Sequence, residues 1–257
     1  MIFDTHAHYE VPAFDHDRDE LLNRLHHECG VSCIVNPSMH LESAKACVRL
    51  AEQYDFIYAA VGLHPNHVEK WDDSHIEQYR DMLRHPKVVA VGEIGLDYYR
   101  KQDNREWQNH VFAMQLELAK ETNLPVIIHD REAHGDMYDH LRHYRPEGVM
   151  HCFSGSVELA KETLRLGMYI GLGGSVTFEN AVRPVDVAQY VPLDRLVLET
   201  DAPYLIPTPC RTTKNRRERS DSSMIYAVAQ FIAELRGMDT EELLRITEEN
   251  AHRLYRI

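Results

Sequence analysis

The chain has 257 residues and a formal net charge of −13; 44% of its residues are hydrophobic and 27% charged. That length suits a single α/β barrel of about 250 residues, and the composition excludes a disordered or fibrous chain. The acidic balance excludes general electrostatic adhesion to nucleic acid, while leaving room for one local site where basic residues or bound cations reverse the field.

Short apolar runs alternate with amphipathic segments from end to end. A strand over Ile2–Thr5 leads into a helix over Asp17–Cys29, where Leu21, Leu22, Leu25 and Cys29 make one stripe and Gly30 supplies the stop. The strand Val31–Asn36 precedes a helix over Leu41–Gln53, and Ile57–Gly62 precedes Ser74–Arg84. The strand Val88–Glu93 precedes Arg105–Thr122, a helix with Val111, Phe112, Met114, Leu116 and Leu118 on a broad apolar face. Pro125–His129, Gly148–His151, Met168–Gly171 and Leu196–Glu199 are read as strands, alternating with helices over Arg131–His143, Val157–Leu166, Ala181–Tyr190 and Ser222–Arg236. A last helix, Asp239–Tyr255, opens with Asp-Thr-Glu-Glu, a capping residue and acids at the positive end of the helix dipole.

Runs that are apolar on both faces suit a parallel sheet, and strand–helix alternation implies right-handed crossovers. Eight such units predict one domain, residues 1–257, with a closed (β/α)8 barrel. An open doubly wound sheet is disfavoured because no GxGxxG turn follows the first strand. No run of 18 apolar residues exists to cross a membrane, and the start Met1-Ile2-Phe3-Asp4-Thr5-His6 lacks the regions of a signal peptide. The cysteines at 29, 33, 47, 152 and 210 have no CxxC spacing, so neither a disulfide framework nor a four-cysteine zinc site is expected, and the cytoplasm is the expected compartment.

Catalytic groups of such barrels sit at the carboxyl ends of the strands. There the sequence places His6 and His8, His64, Glu93, His129, His151 and Asp201. His6 and His8 share a strand face, so both imidazoles can reach one ion, with Asp4 on the same alternation as a group to orient a ligand. A carboxylate such as Glu93 ending the run Val88-Val89-Ala90-Val91-Gly92 needs a cation to offset its burial. Glu199 suits either a partner to a ligand or a salt bridge. The remaining histidines (16, 26, 27, 40, 67, 75, 85, 110, 134, 140, 143 and 252) fall in helices and polar loops and are read as solvated. Cys152, beside His151, is read as a small apolar filler rather than a nucleophile.

Taken in order, Asp4-Thr5-His6-Ala7-His8, Gly62-Leu63-His64-Pro65, Gly92-Glu93-Ile94-Gly95-Leu96-Asp97-Tyr98, His129-Asp130-Arg131-Glu132-Ala133, His151-Cys152-Phe153-Ser154-Gly155, Gly171-Leu172-Gly173-Gly174 and Glu199-Thr200-Asp201-Ala202-Pro203-Tyr204-Leu205 resemble the TatD-related hydrolases, often described as TatD DNases. The matches continue to Asn250-Ala251-His252-Arg253-Leu254.

The resemblance implies an amidohydrolase-like barrel, a metal-dependent hydrolase and an exonuclease-like deoxyribonuclease. It implies two divalent ions, one held by His6, His8, Glu93 and Asp201 and a second by Glu93, His129 and His151. Glu93 and Asp201 would carry the catalysis, with Glu93 bridging. His64 and Arg131 would lie beside the substrate phosphate. The choice among magnesium, manganese and zinc stays open, because imidazoles suit zinc or manganese while the family is described as magnesium-dependent. The expected partner is nucleic acid, DNA first, with no membrane and no fixed oligomeric state.

One departure stands out. Where the family often shows Arg-Gly…Asn-Glu-Pro, this chain has Arg211-Thr212-Thr213-Lys214-Asn215-Arg216-Arg217-Glu218-Arg219. Asn215 is kept as a substrate-side residue, and the five cations of this segment form a candidate backbone-binding patch. The competing functions are a barrel hydrolase of another ester, lactone or amide, and a non-catalytic metal-binding protein.

Overall fold

The computed structural model describes residues 1–100, 103–211 and 219–257. Eight parallel strands follow one another around a single sheet: β1 (Ile2–Asp4), β2 (Val31–Pro37), β3 (Ile57–Ala60), β4 (Val88–Asp97), β5 (Val126–Arg131), β6 (Gly148–Met150), β7 (Tyr169–Leu172) and β8 (Leu196–Leu198). The ring closes between its ends. Thr5 N donates to Leu198 O at 3.1 Å, Asp201 N to His6 O at 2.8 Å, and His8 N to Ala202 O at 2.7 Å. The expected (β/α)8 barrel is therefore the observed one.

The crossover helices are α1 (Arg18–His27), α2 (Leu41–Gln53), α3 (Ile76–Leu83), α4 (Arg105–Thr122), α5 (His134–Tyr144), α6 (Val157–Arg165), α7 (Val182–Tyr190) and α8 (Ile225–Arg236); α9 (Thr240–Tyr255) ends the chain. Their apolar stripes cover the outside of the barrel. Leu21, Leu22 and Leu25 of α1, and Val111, Phe112, Leu116 and Leu118 of α4, are buried as the periodicity requires. Asp239 caps α9, its carboxylate accepting from Glu242 N at 3.0 Å. Among the described residues no helix is long and apolar enough to cross a membrane.

The inside of the barrel forms a separate apolar cluster. Phe3, Val35, Ala60, Val89, Ile127, Val149, Tyr169 and Val197 contribute one side chain from each strand, and Leu254 and Tyr255 of α9 close it. Two residues further along, the same faces of β5 and β6 carry His129 and His151 instead. The lower barrel is thus a packed plug, and the polar groups collect above it at the carboxyl end.

β2 and β7 end one residue past their expected bounds, and two strands run further. β4 continues beyond Glu93 and β5 beyond His129, because the ladder pairs Ile94 with Ile128, Gly95 with His129, Leu96 with Asp130 and Asp97 with Arg131. Arg131 therefore belongs to the strand, and α5 starts at His134 rather than at Arg131. Gly95 permits this close pairing: its φ is 142°, and a Cβ there would lie 2.0 Å from His129 O.

Candidate metal centre

Six side chains from five strand ends meet above the plug. His6 Nε2 and His8 Nε2, projecting from the chain after β1, lie 3.1 Å apart. Glu93 Oε2 is 3.4 Å from His6 Nε2 and 3.7 Å from His8 Nε2, and Asp201 Oδ1 is 3.7 and 3.4 Å from the same two atoms. The other oxygen of Glu93 faces different partners: Oε1 lies 2.9 Å from His129 Nδ1, 3.1 Å from His151 Nε2 and 3.4 Å from His64 Nε2. Three donor triads, His6–His8–Asp201, His6–Glu93–His151 and His64–Glu93–His129, each have their ligand atoms within 4.8 Å of one another.

Burial gives these contacts their strength. His6 and Glu93 are almost wholly inaccessible. Burial alone would raise the Glu93 pKa, yet the imidazoles of His64, His151 and His6 hold it well below the usual carboxylate range. Burial likewise opposes charge on His8 and His151. Asp201 and Glu10 nevertheless raise His8 well above an ordinary histidine, and Glu93 and Glu199 do the same for His151. Asp201 is held below its ordinary value against burial, chiefly by its bond to His8. In this buried cluster like groups crowd together at separations that suit a shared cation.

That crowding is a test of fit. Two imidazole nitrogens 3.1 Å apart can share only one proton between them, and two carboxylates face the same point. Buried nitrogen and oxygen donors in this mixture suit a divalent transition ion. The residues present fit bound metal.

Neighbouring groups fix the rings. His8 Nδ1 lies 3.1 Å from Pro37 O, which turns Nε2 toward the cluster. His129 Nε2 lies 3.3 Å from Asp97 Oδ2. His151 Nδ1 stands 3.3 Å from Glu199 Oε1, an oxygen that also accepts from Cys152 N at 2.5 Å. Gly171 leaves space for that carboxylate, since a Cβ there would fall 2.6 Å from Glu199 Oε2. Asn66 N donates to His64 Nδ1 at 3.1 Å.

The family-model comparison decides the lineage: the model for TatD related DNase matches residues 3–256. The chain belongs to the TatD-related DNase family. It is 42% identical over 260 residues to YabD of Bacillus subtilis, named an uncharacterized metal-dependent hydrolase, with both chains fully covered. It is 35% identical over 263 residues to a Cronobacter sakazakii protein named 3′-5′ ssDNA/RNA exonuclease TatD, covering 99% of this chain and 97% of that one. The crystal structure of the TatD homolog YjjV from Escherichia coli superposes with a TM-score of 0.89 at 37% identity, covering 100% and 98% of the two chains. A Saccharomyces cerevisiae protein described as an uncharacterized amidohydrolase shares the fold, with a TM-score of 0.84 at 18% identity over 99% of each chain. This TatD-family chain is accordingly a metal-dependent hydrolase on a (β/α)8 barrel.

Within this TatD-type barrel, the expected site residues fall into three groups. His6, His8, Glu93, His129, His151 and Asp201 converge, and His64 joins them at Glu93 rather than standing apart. Arg131 lies outside the cluster, exposed, with its guanidinium 4.0 Å over the Tyr99 ring. Asn215, Lys214, Arg216 and Arg217 lie outside the described residues. The two described cations of the basic segment are committed to protein: Arg211 stacks 4.5 Å over Phe178, and Arg219 binds Ala13 O and the Asp17 carboxylate.

Two readings change, those of Asp4 and of the solvated histidines, and the open one, Glu199, narrows to its first alternative. Asp4 does not touch an imidazole ring; its carboxylate accepts from His6 N, Thr200 N, Thr200 Oγ1 and Ser222 Oγ, tying β1 to the loop after β8. Burial pushes its pKa up to about 7 against those bonds. Glu199 acts on His151. Several histidines read as solvated are half-buried with partners: His26 stacks on Phe56 at 4.2 Å, His40 caps α2, and His134 pairs with Asp130 at 2.7 Å. Burial pushes the half-buried Cys152 thiol up to about 12, away from the range of a reactive thiolate.

Sequence reasoning missed Asp97 and Glu10. Glu10 is buried, 3.8 Å from His8 Nδ1, and accepts from Asn36 Nδ2 at 2.7 Å. Strand alternation carries the signal for Asp97, since 93, 95 and 97 share one face of β4; Glu10 lies in a turn beyond β1, where no such periodicity applies.

Proposed function

We propose that this chain hydrolyses phosphodiester bonds of nucleic acid, DNA first, with two divalent ions bound across Glu93. The carrying observation is that the two oxygens of Glu93 face different ligand groups, His6 and His8 on one side and His129 and His151 on the other. His6, His8, Glu93 and Asp201 would hold one ion, and Glu93, His129 and His151 the second. When bound, such ions supply Lewis acidity and a lowered pKa for water. The name of the Cronobacter sakazakii relative supports single-stranded nucleic acid as the substrate class.

The chain's own groups divide the remaining work. Asp201, kept ionised beside His8, accepts the proton of the attacking water at a carboxylate oxygen. His64 uses Nδ1 to accept from Asn66 N, so its proton sits on Nε2, which faces the cluster. Burial keeps that ring neutral, with a pKa of about 4. It therefore serves as an uncharged hydrogen-bond donor to a phosphoryl oxygen. Arg131, exposed at the rim, offsets substrate charge, and Asn215 remains a proposed substrate-side residue. The plug of Phe3, Ile127 and Tyr169 beneath the site keeps bulk water from its floor.

The test is metal analysis of the purified protein, followed by hydrolysis of single-stranded DNA with and without chelator. The wild type should cleave only with divalent ion, and His6→Ala and Asp201→Asn should abolish cleavage. Activity surviving in both variants would reject this site. Turnover of small esters or lactones without DNA cleavage would favour another barrel hydrolase.

A further inference from the structure

Two exposed tyrosines follow strand ends on opposite sides of the closed sheet. Tyr99 is 62% exposed and Tyr204 56% exposed. Tyr99 follows β4 and Tyr204 follows the turn after β8; in a closed ring of eight strands, these positions are four strands apart in either direction.

Both rings are anchored through groups that build the cluster. Tyr99 N donates at 3.0 Å to Asp97 Oδ1, whose other oxygen faces His129. Tyr204 N donates at 2.9 Å to Asp201 O, and its ring lies 6.4 Å from the His8 ring at 64°. The guanidinium of Arg131 lies 4.0 Å over Tyr99 and limits its motion. Scattered exposed apolar residues need no special account. Here, however, both rings follow strand ends that supply the buried cluster, and each is tied at its backbone amide to Asp97 or Asp201.

We propose that Tyr204 and Tyr99 stack nucleobases of single-stranded nucleic acid on either side of the scissile phosphodiester, with Arg131 completing the Tyr99 platform. This rests on the phosphodiesterase reading above. An acidic protein has little general attraction for a polyanion. Stacking provides affinity that does not depend on net charge and accepts every base, because each has a π-face. It also selects single strands, whose bases are free to leave their neighbours.

The test compares normal oligonucleotides with ones carrying a single abasic residue, scanned along the strand. Tyr204→Ala should raise KM for a single-stranded oligonucleotide roughly 10-fold, while metal content and melting temperature stay at wild-type values. Tyr204→Phe should keep the wild-type KM. An abasic residue at the matching position should cost the wild type the same factor and cost Tyr204→Ala nothing further. Tyr99→Ala should show the same pattern at a different nucleotide. Equal losses on normal and abasic strands, or no sensitive position, would overturn the stacking role while leaving the hydrolysis intact. A wild type that cleaves no nucleic acid with any divalent ion would overturn the phosphodiesterase reading and the stacking role together.

Discussion

Asp97 Oδ2 stands 3.3 Å from His129 Nε2, and the other nitrogen of that ring lies 2.9 Å from Glu93. A carboxylate behind a histidine fixes its tautomer and makes the facing nitrogen a better ligand. Asp97 also accepts from Asn66 Nδ2 and from the amides of Tyr99 and Arg100, so its position is determined from several sides. Asp97→Ala should weaken divalent-ion binding about 10–100-fold, measured by calorimetry, with the far-ultraviolet dichroism unchanged. Asp97→Asn retains an acceptor oxygen and should fall between. Wild-type affinity in Asp97→Ala would show that His129 needs no such support.

Gly171 and Glu199 give a second expectation. An alanine at 171 would place its Cβ 2.6 Å from Glu199 Oε2, and that carboxylate holds Cys152 N and faces His151. Gly171→Ala should lower stability by about 1–3 kcal/mol through overpacking and also reduce ion affinity. Glu199→Gln should reduce ion affinity without the packing loss. Denaturant melts run with and without chelator separate the two effects; equal destabilisation in both conditions would remove Glu199 from the ion site.

The metal-free site should titrate in a defined direction. Despite burial, His8 and His151 have folded pKa values raised well above 6.5 by Asp201, Glu10, Glu93 and Glu199. Their contribution to the stability of the metal-free protein is complete below about pH 6.5, the ordinary histidine value. It is lost as pH rises through the raised folded values. Ion binding requires neutral imidazoles, so uptake at pH 7 should release protons and tighten as pH rises. Calorimetry in buffers of different ionisation enthalpy reads the proton count; zero release would contradict the assignment of these rings as ligands.

The convergence of His6, His8, Glu93, His129, His151 and Asp201 was legible because a barrel places its chemistry at one station, and each of them falls there in the sequence. Asp97 was not legible for a physical reason. An apolar run marks a strand buried among apolar groups, so the run was taken to stop at the first charged residue. In β4 the inward face turns from the plug to the cluster at Glu93, and the strand continues to Asp97, which faces His129. Glu10 was hidden differently: it lies in a turn beyond β1, where strand periodicity gives no face, and only the fold brings it to His8. His64 was expected beside the substrate, but no spacing along the chain could reveal its 3.4 Å approach to Glu93. The half-buried histidines escaped for a related reason: His26 meets Phe56 only after β2 and β3 have paired.

The central claim is that Glu93 bridges two ions. An anomalous difference map from crystals soaked in manganese tests it most directly. The account predicts two peaks about 3.5–4 Å apart, one among His6, His8 and Asp201 and the other beside His129 and His151, with Glu93 between them. A single peak, or two peaks that do not share Glu93, would contradict it.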